Sequence, residues 1–271
     1  MIFVCPKCRG KLNITEAGAA KCAEGHSYDR SRFGYYNLLL SERGGTHGDN
    51  KDMVEARRKF LSDGYYQPLA SRFASIAAEL AVPGGVILDA GSGEGYYTLA
   101  VREACQKAGV RVAAFDISKD AVRLAAKRGA ADEYAVAGSY HMPLADASVD
   151  LVMNTFSPLA KEEVERVLKP GGIFMMAIPA EEHLFSLKAK IYEVPYKNKP
   201  GDTTLDGFTL IGREEIKYDM KLDTFDAVRS LFMMTPYAYR TNAEGRARVL
   251  SMDSLVCEAH FLVLTYRKDL A

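Results

Sequence analysis

The chain has 271 residues, and its 35 Lys and Arg balance 35 Asp and Glu, so the formal charge is zero; 48% of residues are hydrophobic and 26% charged. Those proportions exclude a disordered or fibrous chain and suit one large core with a small module attached. No apolar run reaches the ~18 to 20 residues of a membrane span, and the opening MIFVCPKCRGKL lacks a long apolar leader core, so a cytoplasmic protein with no membrane partner is expected.

The neutral total hides an uneven distribution. The first 72 residues carry twelve Lys and Arg against eight Asp and Glu, and the remainder is correspondingly acidic. The basic end also holds three of the five cysteines. Cys5-Pro-Lys-Cys8 is followed, after thirteen intervening residues, by Cys22-Ala-Glu-Gly-His26. Two knuckles joined by a short loop make a tetrahedral zinc site, and four protein ligands leave no open position, so one structural zinc ion is expected. Cys105 and Cys257 sit in apolar contexts and read as buried, inert cysteines.

Next comes SYDRSRFGYYNLLL, in which Tyr28, Phe33, Tyr35 and Tyr36 interleave with Arg30 and Arg32. Two readings are open. The aromatics stack on unpaired bases while the arginines pair with phosphates, or the segment is a docking strand whose rings pack inward. Domain boundaries are expected at 1–37 for the zinc module, 38–52 for a polar, glycine-containing linker and 53–271 for the main domain. Helices are predicted from Met53 to Gly64 and from Pro68 to Leu80. In the first, Arg57, Arg58 and Lys59 read as a solvated face, with a phosphate-facing stripe as the alternative.

From Val86 the sequence alternates strands and helices: VILDA, a glycine turn and a helix; RVAAFD and a helix starting near Ser118; EYAV; VDLVMNT; then KEEVERVL, a Pro-Gly-Gly turn and IFMMAIP. Repeated βα units with near-continuous apolar strands predict an α/β fold with a mostly parallel, doubly wound sheet. The turn runs Asp89-Ala-Gly91-Ser-Gly93-Glu94-Gly95. Its spacing is G-x-G-x-G, not the dinucleotide G-x-G-x-x-G, and the acid inside it opposes a pyrophosphate, which disfavours an NAD-dependent oxidoreductase. An anionic turn suits a cationic ligand such as a sulfonium, and Asp116 at the second strand end is placed to accept ribose hydroxyls.

DAGSGEG, the Asp116 strand end and VLKPGG before a fifth strand resemble the class I (Rossmann-like) S-adenosylmethionine-dependent methyltransferases. The resemblance covers about residues 85–180 and implies a seven-stranded sheet closed by an antiparallel pair, for which IKYDMKL and SLVCEAHFLVLTYRK are candidates. A narrower resemblance spans nearly the whole chain: CPxC with CxxxH, HSYDRSRFGYYNLL, ARRKFLSDGYYQPL, LDAGSGEGYYT, the His183 segment and MMTPYAYR. Together these resemble the RlmA-type 23S ribosomal RNA guanine-N1 methyltransferases. The resemblance implies transfer of a methyl group to N1 of a guanine in a hairpin of domain II of that RNA, with the zinc module engaging RNA. It leaves open which of two neighbouring guanines is modified.

Matched to that family, Tyr66 touches the cofactor, Gly93 and Glu94 lie with Asp89 and Gly91 in its turn, and His183 contacts its methionyl end. Read without the family, Tyr66 is a packing tyrosine and His183 a surface or packing residue. Ser139, Tyr140 and His141 lie in the loop where related enzymes hold adenine. Asn154-Thr-Phe156-Ser-Pro158 loosely resembles the [DN]-P-P-[FYW] substrate loop but lacks the double proline. Asn154 is a candidate for the guanine edge and Phe156 for stacking, against an ordinary βα loop. Residues 183–240 read as an insertion, and Lys188, Lys190, Lys197 and Lys199 within it suggest a second basic patch facing RNA, or alternatively a lid or a contact in a homodimer. The rival functions are a small-molecule methyltransferase acting on quinone- or sterol-like acceptors and a non-catalytic zinc-dependent RNA-binding adaptor.

Overall fold

The computed structural model describes residues 1–40 and 49–270, so the middle of the expected linker, 41–48, lies outside the described residues. The N-terminus forms a small antiparallel sheet of two-residue strands, β1 (Asn13–Ile14), β2 (Ala20–Lys21) and β3 (Ser27–Tyr28). Strands this short bury too little to hold themselves together, so the module depends on its metal knuckles and on what it packs against.

The second sheet has eight strands, one more than expected. The extra one is β4 (Tyr36–Asn37), which pairs in parallel with Ala135 and Val136 of β7 (Glu133–Val136). Tyr35, Tyr36 and Leu38 are buried, and the Leu38 N–H donates to the Val136 carbonyl at 2.9 Å. The aromatic segment is therefore a docking strand at Tyr35 and Tyr36. Covering the free edge of β7 satisfies backbone groups that an open edge would expose.

After β4 come helices α1 (Lys51–Ser62) and α2 (Gln67–Leu80). The βα units follow: β5 (Val86–Ala90), α3 (Tyr96–Ala104), β6 (Arg111–Asp116), α4 (Lys119–Arg128), β7, β8 (Val149–Thr155), α5 (Lys161–Val167) and β9 (Leu168–Pro179). Then come α6 (Phe185–Ile191), β10 (Phe208–Leu222), α7 (Phe225–Met233), α8 (Tyr237–Arg240), α9 (Ala243–Leu250) and β11 (Leu255–Lys268). The order across the sheet is β10-β11-β9-β8-β5-β6-β7-β4, with β10 and β11 antiparallel to their neighbours.

Two expectations shift. Pro170-Gly171-Gly172 is not a turn ahead of the fifth strand but an irregularity within β9, where pairing with β8 jumps from Val149↔Leu168 to Leu151↔Ile173. The segment 183–240 is not one insertion outside the sheet, because β10 lies within it and three helices separate β10 from β11.

Alternation along the strands sends side chains to two separate cores. On one face Ile87, Val112 and Ala114 pack under Phe73, Tyr97 and Val101 of α2 and α3. On the other, Leu88, Ala113 and Phe115 pack with Val164 and Val167 of α5 and with Phe3 and Leu12 of the zinc module. Phe3 and Leu12 are fully buried; burial of such side chains contributes about 2 to 3 kcal/mol each. The module is thus docked on the sheet, tied further by the Val4 N–H donating to the Pro143 carbonyl at 2.8 Å.

Candidate functional site

The N-terminal site is set by local sequence. The Sγ atoms of Cys5, Cys8 and Cys22 and a ring nitrogen of His26 all lie within 4.8 Å of one another. Cys8 Sγ is 3.6 Å from Cys22 Sγ, and His26 Nδ1 is 3.5 Å from Cys5 Sγ and 3.4 Å from Cys22 Sγ. Ligands about 2.3 Å from a tetrahedral zinc sit ~3.8 Å apart, so these separations fit that ion. Burial raises the Cys5 thiol, but hydrogen bonds from the Tyr28 hydroxyl, at 3.2 Å, and from backbone N–H groups outweigh it and bring it down to about 6, favouring the thiolate a metal takes.

The second site lies where β5 turns into α3. Gly91 has φ +86°, and a Cβ there would meet the Ser157 Oγ at 2.1 Å. Gly95 has φ +84°, and its Cβ would meet the Ala130 Cβ at 2.8 Å. Only glycine fits either position. A Cβ on Gly93 would instead enter open space, and the Gly93 N–H donates to Asp116 Oδ2 at 2.9 Å while Ser118 N–H donates to Oδ1 at 2.8 Å. Asp89 is buried and accepts from the Thr98 hydroxyl at 2.5 Å; burial pushes its carboxyl up to about 7. Glu94 is buried and ion-paired with Arg128, which offsets part of the turn's negative charge.

Across from the turn stands an aromatic cluster. Tyr66, at the start of α2, is 4.9 Å from Phe261, 5.9 Å from His183 and 6.3 Å from Phe156 between ring centroids. His183 Nδ1 accepts the His260 backbone N–H at 3.3 Å, and burial pushes the imidazole down to about 3. The ring is therefore neutral with its proton on Nε2, which donates to the Tyr66 oxygen at 3.3 Å and leaves the phenol hydrogen free. His260 also clasps the loop behind His183: its Nδ1 accepts the Glu182 N–H at 3.1 Å, its carbonyl accepts the Ala180 N–H at 2.8 Å, and its Nε2 donates to Glu215 at 2.6 Å.

The loop after β8 brings Phe156 over the turn, exposed and with φ +57°. A left-handed backbone on a bulky residue costs of order 1 kcal/mol and recurs at functional sites. Asn154 is buried beneath it, accepting the Ser157 N–H and donating to the Pro158 carbonyl, both at 3.3 Å. Its amide thus shapes the loop that presents Phe156.

A family model described as "Methyltransferase domain" matches residues 88–176, and one described as "RlmA, N-terminal" matches residues 3–42. The chain is 34% identical to the "Putative 23S rRNA (guanine-N(1)-)-methyltransferase" of Micromonospora griseorubida, over 93% of this chain and 92% of that protein. It is 31% identical to the 23S rRNA (guanine(748)-N(1))-methyltransferase of Streptomyces fradiae, over 90% and 88%. The chain belongs to this family of 23S rRNA (guanine-N1) methyltransferases. The methyltransferase also matches the fold of the [4+2]-cyclase SpnF, with a TM-score of 0.51 at 19% identity over 86% of this chain and 88% of that one.

The methyl donor of the methyltransferase is S-adenosylmethionine and its N-terminal metal is zinc. The cleft fits a polar, cationic donor. Among the described residues, Asp89 Oδ1, Ser92 Oγ, Glu94 Oε1, the Tyr97 hydroxyl and Thr155 Oγ1 are buried around the turn without a protein partner. Ser139 is half-buried in a single 3₁₀ turn beyond β7, whereas Tyr140 and His141 point into solvent.

The second basic patch of the methyltransferase does not form as expected. Lys188 is fully buried, donating to Asn198 Oδ1 at 2.5 Å and the Tyr196 carbonyl at 3.3 Å, with its ammonium 4.6 Å from the Tyr196 ring centre. Lys197 is bound to Glu181 and Glu182, both at 3.0 Å; Lys190 and Lys199 remain exposed. Two contributors were not singled out in the sequence: His260, set between Ala259 and Phe261 in β11, and Phe261 itself, fully buried against Tyr66, His183 and Phe156.

Proposed function

We propose that this chain transfers a methyl group from S-adenosylmethionine to N1 of a guanine in a hairpin of domain II of 23S ribosomal RNA, acting in the cytoplasm. The observation that carries this reading is the pairing, in one chain, of the zinc ribbon with the glycine turn over nearly the full length of relatives named for that reaction. A small-molecule methyltransferase has no use for a metal module seated on its sheet.

S-adenosylmethionine supplies the methyl on a sulfonium, already activated for in-line displacement. The chain's own work is to hold the two reactants in line and exclude water. Asp116 accepts ribose hydroxyls with the lone pairs left after its two backbone bonds. Ser139 would border the adenine, and the Gly93–Glu94 backbone would run along the donor with Asp89 beneath, while Gly91 lets the Ser157 loop close on the turn. Tyr66 offers its free phenol hydrogen, oriented by neutral His183, at the methionyl end. Phe156 provides a face for a guanine taken out of its stack, and Asn154 sets the loop that aims it. The zinc ribbon, with Lys7, Lys11, Lys21, Arg30 and Arg32 on its exposed surface, holds the hairpin.

The test is transfer of labelled methyl to unmodified large-subunit RNA, with digestion to nucleosides, alongside Cys8→Ser. The expected product is 1-methylguanosine, strongly reduced in the variant. No label in RNA from a chain that binds the cofactor would redirect the search to small acceptors.

A further inference from the structure

Helix α1 carries Arg57, Arg58 and Lys59 in succession, yet only the first turns inward. Arg58 and Lys59 are exposed, and Lys59 pairs with Asp63 at 3.0 Å. The Arg57 guanidinium, by contrast, is ion-paired with Asp49 just ahead of the helix and donates to the Met234 carbonyl at the end of α7 at 3.2 Å. Its side chain is 29% exposed and that of Asp49 31%, so both are half withdrawn from water.

This pair is wired to the cofactor strand. The Asp49 carbonyl accepts the Ser118 hydroxyl at 3.1 Å, and the Ser118 N–H is one of the two donors on Asp116. Asn50 caps α1 through the Met53 N–H at 2.9 Å and donates to the Tyr239 hydroxyl at 3.0 Å. The helix start is thereby pinned to α8 through Tyr239 and to the residues just after β6 through Ser118. Burial pushes the Tyr66 and Tyr97 phenols and the Glu94 and Asp116 carboxyls upward, and the Arg57 charge is among those pulling each back. The bonds that run from Arg57 through Asp49 and Ser118 to Asp116 tie the guanidinium to the donor site.

S-adenosylmethionine carries an α-carboxylate at its methionyl end, and a carboxylate withdrawn from water needs a charged donor. Arg128 is committed to Glu94, and Lys188 is sealed between Tyr196 and Tyr237. Arg57 has a planar fork suited to a carboxylate, and the Asp49 carboxylate demonstrates the fit.

We infer that Arg57 binds the α-carboxylate of S-adenosylmethionine and that Asp49 is an intramolecular carboxylate competing for the same guanidinium. The inference rests on the methyltransferase reading. It makes the first turns of α1 part of the donor site.

The experiment is calorimetric titration of the full, zinc-loaded chain with S-adenosylmethionine and with its decarboxylated analogue, which keeps the adenosyl sulfonium and the amine. The proteins are the natural chain, Arg57→Gln, Arg57→Lys and Asp49→Asn, each checked for an unchanged melting curve. Arg57→Gln is expected to weaken the parent cofactor by about 10- to 100-fold, the range of a charged hydrogen bond, and to leave the analogue unchanged. Arg57→Lys is expected to restore part of the loss, and Asp49→Asn to tighten the parent cofactor only. Equal weakening of both ligands by Arg57→Gln, or no weakening of either, would overturn the assignment. Equal loss on both from Asp49→Asn would overturn the competition. If the natural chain bound neither ligand, the methyltransferase reading itself would fail.

Discussion

The metal centre and the cofactor cleft are built on opposite plans. The metal centre draws four ligands from 22 consecutive residues, between Cys5 and His26, and three short strands hold them. The cleft draws Tyr66 from the start of α2, the turn from β5, Asp116 from β6, Phe156 after β8, His183 after β9 and His260 from β11, with Arg57 of α1 as the inferred carboxylate binder. The first stands or falls with one ion. The second is held by many weak ties, each removable at modest cost.

Removing zinc is the most drastic way to separate them. Structural zinc contributes about 10 to 16 kcal/mol in isolated modules, so chelation is expected to unfold the ribbon entirely. Cofactor affinity should change only a few-fold, because every proposed cofactor contact comes from residue 49 onward. Amide exchange across 1–37 together with cofactor titration would check both halves. A cofactor affinity lost in step with the ribbon would mean that docking through Phe3 and Leu12 supports the cleft.

Within the cleft, Gly91→Ala is the largest single lesion. Its methyl would overlap Ser157, and its φ of +86° disfavours any side chain. A loss of about 2 to 4 kcal/mol in stability is expected by denaturant unfolding, with cofactor binding abolished.

The two buried titrating groups give a finer test. Asp89 has a folded value raised from 3.8 to about 7, so the folded state holds its proton more tightly and stability falls as pH rises through that window. His183 is lowered from 6.5 to about 3, so stability falls as pH drops through its own window. Between about pH 4 and 6.5 the slopes oppose. Asp89→Asn should make stability rise more steeply with pH than in the natural chain, and His183→Gln less steeply, each by about 1 to 3 kcal/mol over the window. Slopes that stayed the same would remove both groups from the buried, shifted class.

Ser118→Ala is the gentlest. It deletes the cap on α4 and the bond to Asp49, and about 1 kcal/mol of stability is expected to go. A thermal melt resolves it.

Legibility in the sequence followed the same division. The zinc ligands and the glycine turn were readable because each is a contiguous pattern whose spacing states its geometry. The βα alternation was readable for the same reason. β4 was not, because two residues of strand leave no period, and Tyr35 and Tyr36 look alike as a stacking platform or as buried rings. Lys188 announced a charge, and only the fold shows it sealed beneath tyrosines. Arg57, Arg58 and Lys59 read as one stripe, although successive helical residues point about 100° apart. His260 was camouflaged by its apolar neighbours, since what matters is the loop it faces across the sheet.

The short strand β4 has a consequence for substrate choice. It is hydrogen-bonded to the sheet while Phe3 and Leu12 of the ribbon are seated on that sheet's face, so the ribbon is carried by the same frame as the glycine turn. A hairpin gripped at the metal end would then be gauged as by a fixed caliper. Its target base must lie one set span from the grip, and lengthening the stem by a base pair would carry that base past the jaw.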